Sequence, residues 1–274
     1  MVFGSILLIV NPAGLEFGNY AGTVRVQSGD AAIAPLVFNV TMTIGRSLPV
    51  VGAIANAASF DVGGIAPGEI VTVFGSNFGP AAIAGLRFDA SGFVAAATGD
   101  TQVFFDGVAA PMIYSVAGQA SAIVPYGVAG KASVRVQVDY LGTRSAGLDV
   151  RVVASAPGLF NAVLNQDGSV NGPGNPAEAG SIVVLFATGE GVTSPPSVDG
   201  AITGSSLPKP VLPVSVTIGG RAAEILYAGA APGLVAGVMQ VNARVPADAP
   251  SGAQGVVLAV GEGRSRGSVA VAVK

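Results

Sequence analysis

"VFFDGVAAPMIYS" spans residues 103–115 and "VTIGGRAAEILYA" spans residues 216–228. Laid over one another at an offset of 113, they put Val103 on Val216, Gly107 on Gly220 and Tyr114 on Tyr227. Alternating apolar residues on either side of a glycine turn are the pattern of a β-hairpin. The chain spells that hairpin twice, and the repetition extends in both directions. "PGEIVTVFG" at 67–75 matches "AGSIVVLFA" at 179–187, pairing Gly68 with Gly180, Ile70 with Ile182 and Phe74 with Phe186. Downstream, "IVPYGVAGKASVRVQV" at 123–138 resembles "RVPADAPSGAQGVVLAV" at 244–260, with Val134 and Val136 meeting Val256 and Leu258. Three blocks in the same order imply two copies of one β-sandwich, at 48–155 and 156–274.

Composition agrees with that reading. Only 11 % of the 274 residues are charged and half are hydrophobic, against roughly a quarter charged in ordinary globular proteins. The 40 glycines and 18 prolines break any long helix and punctuate short elements. "PLVFNVTMTIG" places Leu36, Phe38, Val40, Met42 and Ile44 on one face. "SVRVQVDY" does the same with Val134, Val136, Val138 and Tyr140, and "PVSVTIGG" with Val214, Val216 and Ile218, as in half-buried strands.

Residues 1–47 stand apart as a partial segment with strands expected near Ser5–Val10, Gly22–Ser28 and Pro35–Gly45. Three strands do not close a sandwich, which takes about seven. "SILLIV" is apolar on both faces, so as a strand it needs cover on both sides. Residues Ile6, Leu7, Leu8, Ile9 and Val10 are therefore the candidate contact through which chains join.

The order "PGEIVTVFGSNFGP", "VFFDGVAAPMIY", "IVPYGVAG", "SVRVQV" is similar to that of IPT/TIG immunoglobulin-like domains. The second copy departs from it at "FATGEGV", where the Asn-Phe-Gly signature is replaced. Residues 48–274 also resemble a Solibacter-type C-terminal module of large secreted bacterial proteins, through "IANAASF", "IAPGEIVTVFG", "VLNQDGSVN", "VVLFATGEG", "LPVSVTIGG" and "LYAGAAPGLVAGVMQVN". "NPAGLEFGNYAGTVRVQS" looks like the last strands of a BACON-type bacterial Ig-like domain. The resemblances imply an all-β chain of tandem Ig-like sandwiches with an incomplete amino-terminal segment. They also imply an extracellular or cell-surface location, and no activity.

Chemistry is scarce. There is no cysteine and no histidine, which excludes disulfides, thiolate metal sites and the usual general base. A formal charge of −3 leaves no basic footprint for nucleic acid. "GRSRG" at 263–267 fits the G-x-S-x-G pattern, but without a histidine or a strand-to-helix turn Ser265 reads as a turn residue. "GVAGKAS" at 127–133 has Ala132 where a P-loop needs Ser or Thr. Asn165, Asp167 and Asn171 offer oxygen ligands of a calcium-loop kind, with too few acids and no closing glutamate. Asn171-Gly172 is a candidate deamidation site, and Asn39-Val40-Thr41 is a sequon on a water-facing strand position. Sixteen scattered acids and no tryptophan support neither a glycosidase pair nor a sugar platform.

No segment is apolar for long enough to span a membrane; Ile225–Ala243 is broken by Gly229, Pro232, Gly233 and Gly237. "MVFGSILLIV" lacks a basic flank and a cleavage site, so a secretory leader would lie upstream. No cofactor is expected. Two functions remain. One is a structural or adhesive surface protein that polymerises by strand complementation. The other is an accessory module binding extracellular glycan, with Val192–Pro213 as the longest candidate loop.

Overall fold

The computed structural model describes residues 7–45, 47–267 and 269–274. Strand makes up 49 % of it and helix about 1 %, so the chain is all-β. It divides into two units, Met1–Ser47 and Leu48–Lys274.

The first unit is built on a hairpin of β1 (Gly18–Val26) and β2 (Leu36–Ile44), in unbroken antiparallel register from Gly18↔Ile44 to Val26↔Leu36. Asp30, at the tip, ties the turn by accepting the Ala32 N–H at 3.0 Å. The expected strand over Ser5–Val10 differs. Residues 7–10 form no strand, and 1–6 lie outside the described residues. A strand persists only where a neighbour takes its backbone hydrogen bonds, and among the described residues the sheet holds β1 and β2 alone.

The second unit runs β3 (Val50–Asn56), β4 (Ile70–Ser76), β5 (Ala84–Gly85), β6 (Thr101–Phe105), β7 (Val108–Ala109), β8 (Met112–Val116), β9 (Gln119–Ile123), a 3-10 turn at Tyr126–Val128, β10 (Ser133–Tyr140), β11 (Thr143–Arg144) and β12 (Leu148–Arg151). It continues with β13 (Gly158–Asn165), β14 (Ile182–Thr188), β15 (Thr193–Ser194), β16 (Lys209–Pro210), β17 (Val214–Ile218), β18 (Arg221–Ala223), β19 (Ile225–Ala230), β20 (Met239–Arg244), β21 (Gly252–Val260), β22 (Gly263–Arg264) and β23 (Ala270–Val273).

Two sandwiches result. The first packs β3-β4-β9-β8-β5 against β11-β10-β6-β7, with β12 also on β10. The second packs β13-β14-β20-β19 against β18-β17-β21-β22, with β23 on β21. The same path is traced twice, down to an isolated parallel bridge onto the end of the copy, Ile65↔Val152 in one and Ala177↔Val273 in the other. The duplicated hairpins turn in two residues, at Asp106-Gly107 and Gly219-Gly220. All four residues take positive φ, as a turn of this twist requires. The cores are separate. One gathers Val71, Val73, Val103, Phe105, Val136 and Val138; the other gathers Val183, Leu185, Val216, Ile218, Val256 and Leu258. Each fully buried side chain of this size contributes about 1.5–3 kcal/mol.

The strand pairing corrects the alignment of the third block by two residues. Val103 pairs with Val138 and Val216 pairs with Leu258, so Val136 and Val138, not Val134 and Val136, hold the places of Val256 and Leu258. A two-residue slip leaves every side chain on the same face of a strand. Hydrophobic pattern alone therefore does not distinguish the two alignments.

Candidate functional site

Of the candidate contact residues, Ile6 lies outside the described residues. Leu8 and Val10 line a groove of about 270 Å³ on the hairpin, together with Tyr20, Gly22, Val24 and Val40. Leu7 and Ile9 are 83 % and 81 % exposed. Beyond the groove the apolar face continues through Leu36 and Phe38, themselves 62 % and 52 % exposed.

The G-x-S-x-G serine has a structural explanation. Ser265 N–H donates to Leu258 O at 2.7 Å, and Leu258 N–H donates to Ser265 Oγ at 2.9 Å. Ser145 makes the same two bonds to Val138, at 2.8 and 2.9 Å. The hydroxyl fills one rung of a strand ladder in each copy.

The calcium-type cluster is likewise engaged with itself. Asn171 Nδ2 donates to Asn165 Oδ1 at 2.9 Å and to Ala272 O at 3.0 Å, while Asn171 Oδ1 accepts the Ala272 N–H at 2.8 Å. Asp167 Oδ1 accepts from the backbone of Ser169. Asn171 thus acts as a piece of strand backbone clamping β23. Deamidation would set an oxygen against two acceptors. Asn171→Asp should destabilise the protein by about 2 kcal/mol, read as a lower chemical-denaturation midpoint than the parent's.

The densest polar chemistry lies between the two sandwiches, at positions that match no sequence motif. Gly68 and Ile70 flank Glu69, which is buried at the start of β4. Its Oε1 accepts from Asn56 Nδ2 at 2.9 Å and its Oε2 from Ala66 N–H at 2.7 Å. Asn56 Nδ2 also reaches Ala156 O, in the connection to the second sandwich, at 3.0 Å. Across the joint, Thr188 Oγ1 accepts the Ile70 N–H at 2.8 Å. Asp199 Oδ1 accepts the Tyr126 N–H, and Gly200 O accepts the Val94 N–H, both at 2.8 Å. The loop Val192–Pro213 is therefore bonded to the first sandwich at its centre. An apolar patch of Ile70, Val94, Ile123 and Val235 completes the joint.

Glu190, between Gly189 and Gly191, is the second buried carboxylate. Among the described residues its Oε2 is buried without a hydrogen-bond partner. Burial raises both acids, Glu69 to about 8 and Glu190 to about 7; the Glu190 charge adds to the push on Glu69, while the Ala66 and Asn56 donors oppose it. Burial raises the Tyr126 phenol too, followed by the Glu190 charge. None of the six ion pairs among the described residues involves Glu69, Glu190 or Asp199.

One signal for this cluster was present in the repeat. At the offset of the Phe74–Phe186 match, Glu190 falls on Phe78. Phe78 is fully buried in the first core. An acid in a buried aromatic column marks a position with a different neighbour.

Paired antiparallel sheets closed by a parallel bridge define the protein as a tandem of immunoglobulin-like β-sandwiches. Residues 59–152 match the family model described as IPT/TIG domain, which covers most of the first sandwich. No curated protein matches the chain. IPT/TIG domains are non-enzymatic Ig-like modules, typically adhesive or structural. No helix among the described residues is long and apolar enough to cross a membrane.

Proposed function

We propose that the protein is an extracellular, non-catalytic structural or adhesive module of the bacterial surface that associates with copies of itself through its amino-terminal hairpin. One observation carries the reading: among the described residues β1 and β2 form a two-stranded sheet whose apolar face presents Leu36 and Phe38 to solvent. An isolated hairpin is marginal in water, and its outer edges are templates for strands of another chain. Segment 6–10, supplied by a neighbouring copy, is the occupant. It is apolar at every position from Ile6 to Val10, and within one chain Leu8 and Val10 line the groove of their own hairpin. A head-to-tail contact of that kind does not close and builds a filament. The resemblance of residues 48–274 to modules of large secreted proteins supports the location.

The test is light scattering and negative-stain microscopy of the intact chain, of a deletion of Met1–Val10 and of Leu36→Lys/Phe38→Asp. Covering Leu36 and Phe38 is worth roughly 3–5 kcal/mol together, so the double variant should weaken association by more than about 100-fold. Regular fibres are expected from the parent and monomers from both variants. A parent chain that stays monomeric, or variants that assemble as well as it does, overturns the proposal.

A further inference from the structure

We propose that the joint between the two sandwiches is a pH-operated latch, locked while Glu69 and Glu190 carry protons and released as they ionise.

Glu69 belongs to the first sandwich and Glu190 to the second, and both are buried where the two meet. Burial of an ionised carboxylate is costly unless a cation or a full set of donors compensates. Glu69 has two N–H donors, and Glu190 Oε2 has no partner among the described residues.

Apart from two arginines on the wall of the adjoining cleft, the titratable groups facing the pair are acidic or phenolic. Asn56 and the Ala66 backbone face Glu69 from β3 and the loop before β4; Tyr126 faces Glu190 from its 3-10 turn. Asp199 reaches the same turn from the connection between β15 and β16. The cleft that extends to Glu69 carries Asp61, Glu262, Arg264 and Arg266 on its walls, two charges of each sign, and neither arginine is ion-paired to a joint carboxylate. Among the described residues no ion pair neutralises a second negative charge.

The placement is also specific to the joint. In the second copy the position of Glu69 is taken by Ser181, and in the first copy the position of Glu190 is taken by Phe78. Each acid stands only in the copy that faces the other across the contact.

The direction follows from linkage. Both carboxyls are raised from 4.5, to about 8 and about 7, so the closed joint holds its protons more tightly than the open one. The stabilisation is complete below the ordinary carboxyl value. It is lost as pH rises through 7 and then 8. Above that range the joint must either keep two like charges out of water or part.

The chain has no cysteine, so spin labels can be placed by Ser91→Cys in the first sandwich and Ser251→Cys in the second, both exposed. Distance distributions between the labels are measured at about pH 4 and about pH 9, either side of the window in which the stabilisation is lost. The parent should give one narrow peak at the lower pH and lose it at the higher. The Glu69→Gln/Glu190→Gln chain should keep the narrow peak at both. A parent peak that does not change, or a variant that broadens equally, overturns the proposal. Should the double variant fail to fold, carbon-13 spectra of the parent's six glutamate carboxyls decide the point. Two that titrate near neutrality support the latch; six that titrate in the ordinary carboxyl range overturn it.

Discussion

Gly189→Ala lowers the stability of the tandem by roughly 3 kcal/mol, three times the cost of the same change at Gly220. Gly189 has φ of +86°, and a Cβ there would stand 2.0 Å from Ala156 O. The positive φ alone costs an L-residue about 1 kcal/mol. Relief of the clash requires the connection between the sandwiches to retreat. That connection is held from both sides, since Ala156 N–H donates to Gly189 O at 2.9 Å and Ala156 O accepts from Asn56 Nδ2 at 3.0 Å. Two bonds at about 1 kcal/mol each complete the sum. Gly220 has φ of +76° and nothing within 4 Å of its missing Cβ, so Gly220→Ala pays the backbone term only. For a unit of this size the difference of roughly 2 kcal/mol appears as about 4–8 °C in Tm. Equal shifts for the two variants would mean that the joint is not held as tightly as these distances require.

The same glycine shows why the duplication was legible in the sequence and the joint was not. Val103 and Val216, or Gly107 and Gly220, do the same job in each copy, so the physics that selects them is local: a pleat with a period of two, and a turn that needs positive φ. Such demands leave the same letters at the same spacing. Glu69, Asn56, Thr188 and Asp199 answer to a neighbour that is remote in sequence, and Asn56 reaches Ala156 across 100 residues. No periodicity encodes that. The trace they leave is negative, a place where the copies stop agreeing, as "SNFGP" gives way to "TGEGV".

Two other readings turned on context in the same way. Ser265 matched a nucleophile pattern, yet its twin Ser145 in "TRSAG" makes identical ladder bonds without the pattern. The repeat, applied to this motif, would have identified the role. Residues 7–10 have the composition of a strand, and composition is insufficient. Leu8 and Val10 line the hairpin groove, but the backbone hydrogen bonds that define a strand need an edge offered at the right place.

Phe78→Ala should cost the fold roughly 3–5 kcal/mol, more than Gly189→Ala. Its ring is fully buried in the first core. The backbone around it cannot fold in to close the space. Phe78 N–H donates to Ala117 O at 3.2 Å, and Phe78 O accepts from Thr101 Oγ1 at 3.1 Å. Gly75 lies against the ring so closely that a Cβ there would meet Phe78 Cε1 at 2.2 Å. The shape of this site is set by the aromatic, and a cavity is what its removal leaves. The aligned position in the second sandwich should behave oppositely. Glu190→Gln removes a charge that burial disfavours and whose Oε2 has no partner among the described residues, so above neutral pH it should raise stability, and below pH 4.5 the gain should vanish because Glu190 is then protonated in both states. Chemical denaturation of both variants across pH checks the pair. A Phe78→Ala midpoint near the parent's would mean that the first core tolerates the void. A Glu190→Gln gain that persists in acid would mean that charge is not what burial of Glu190 penalises.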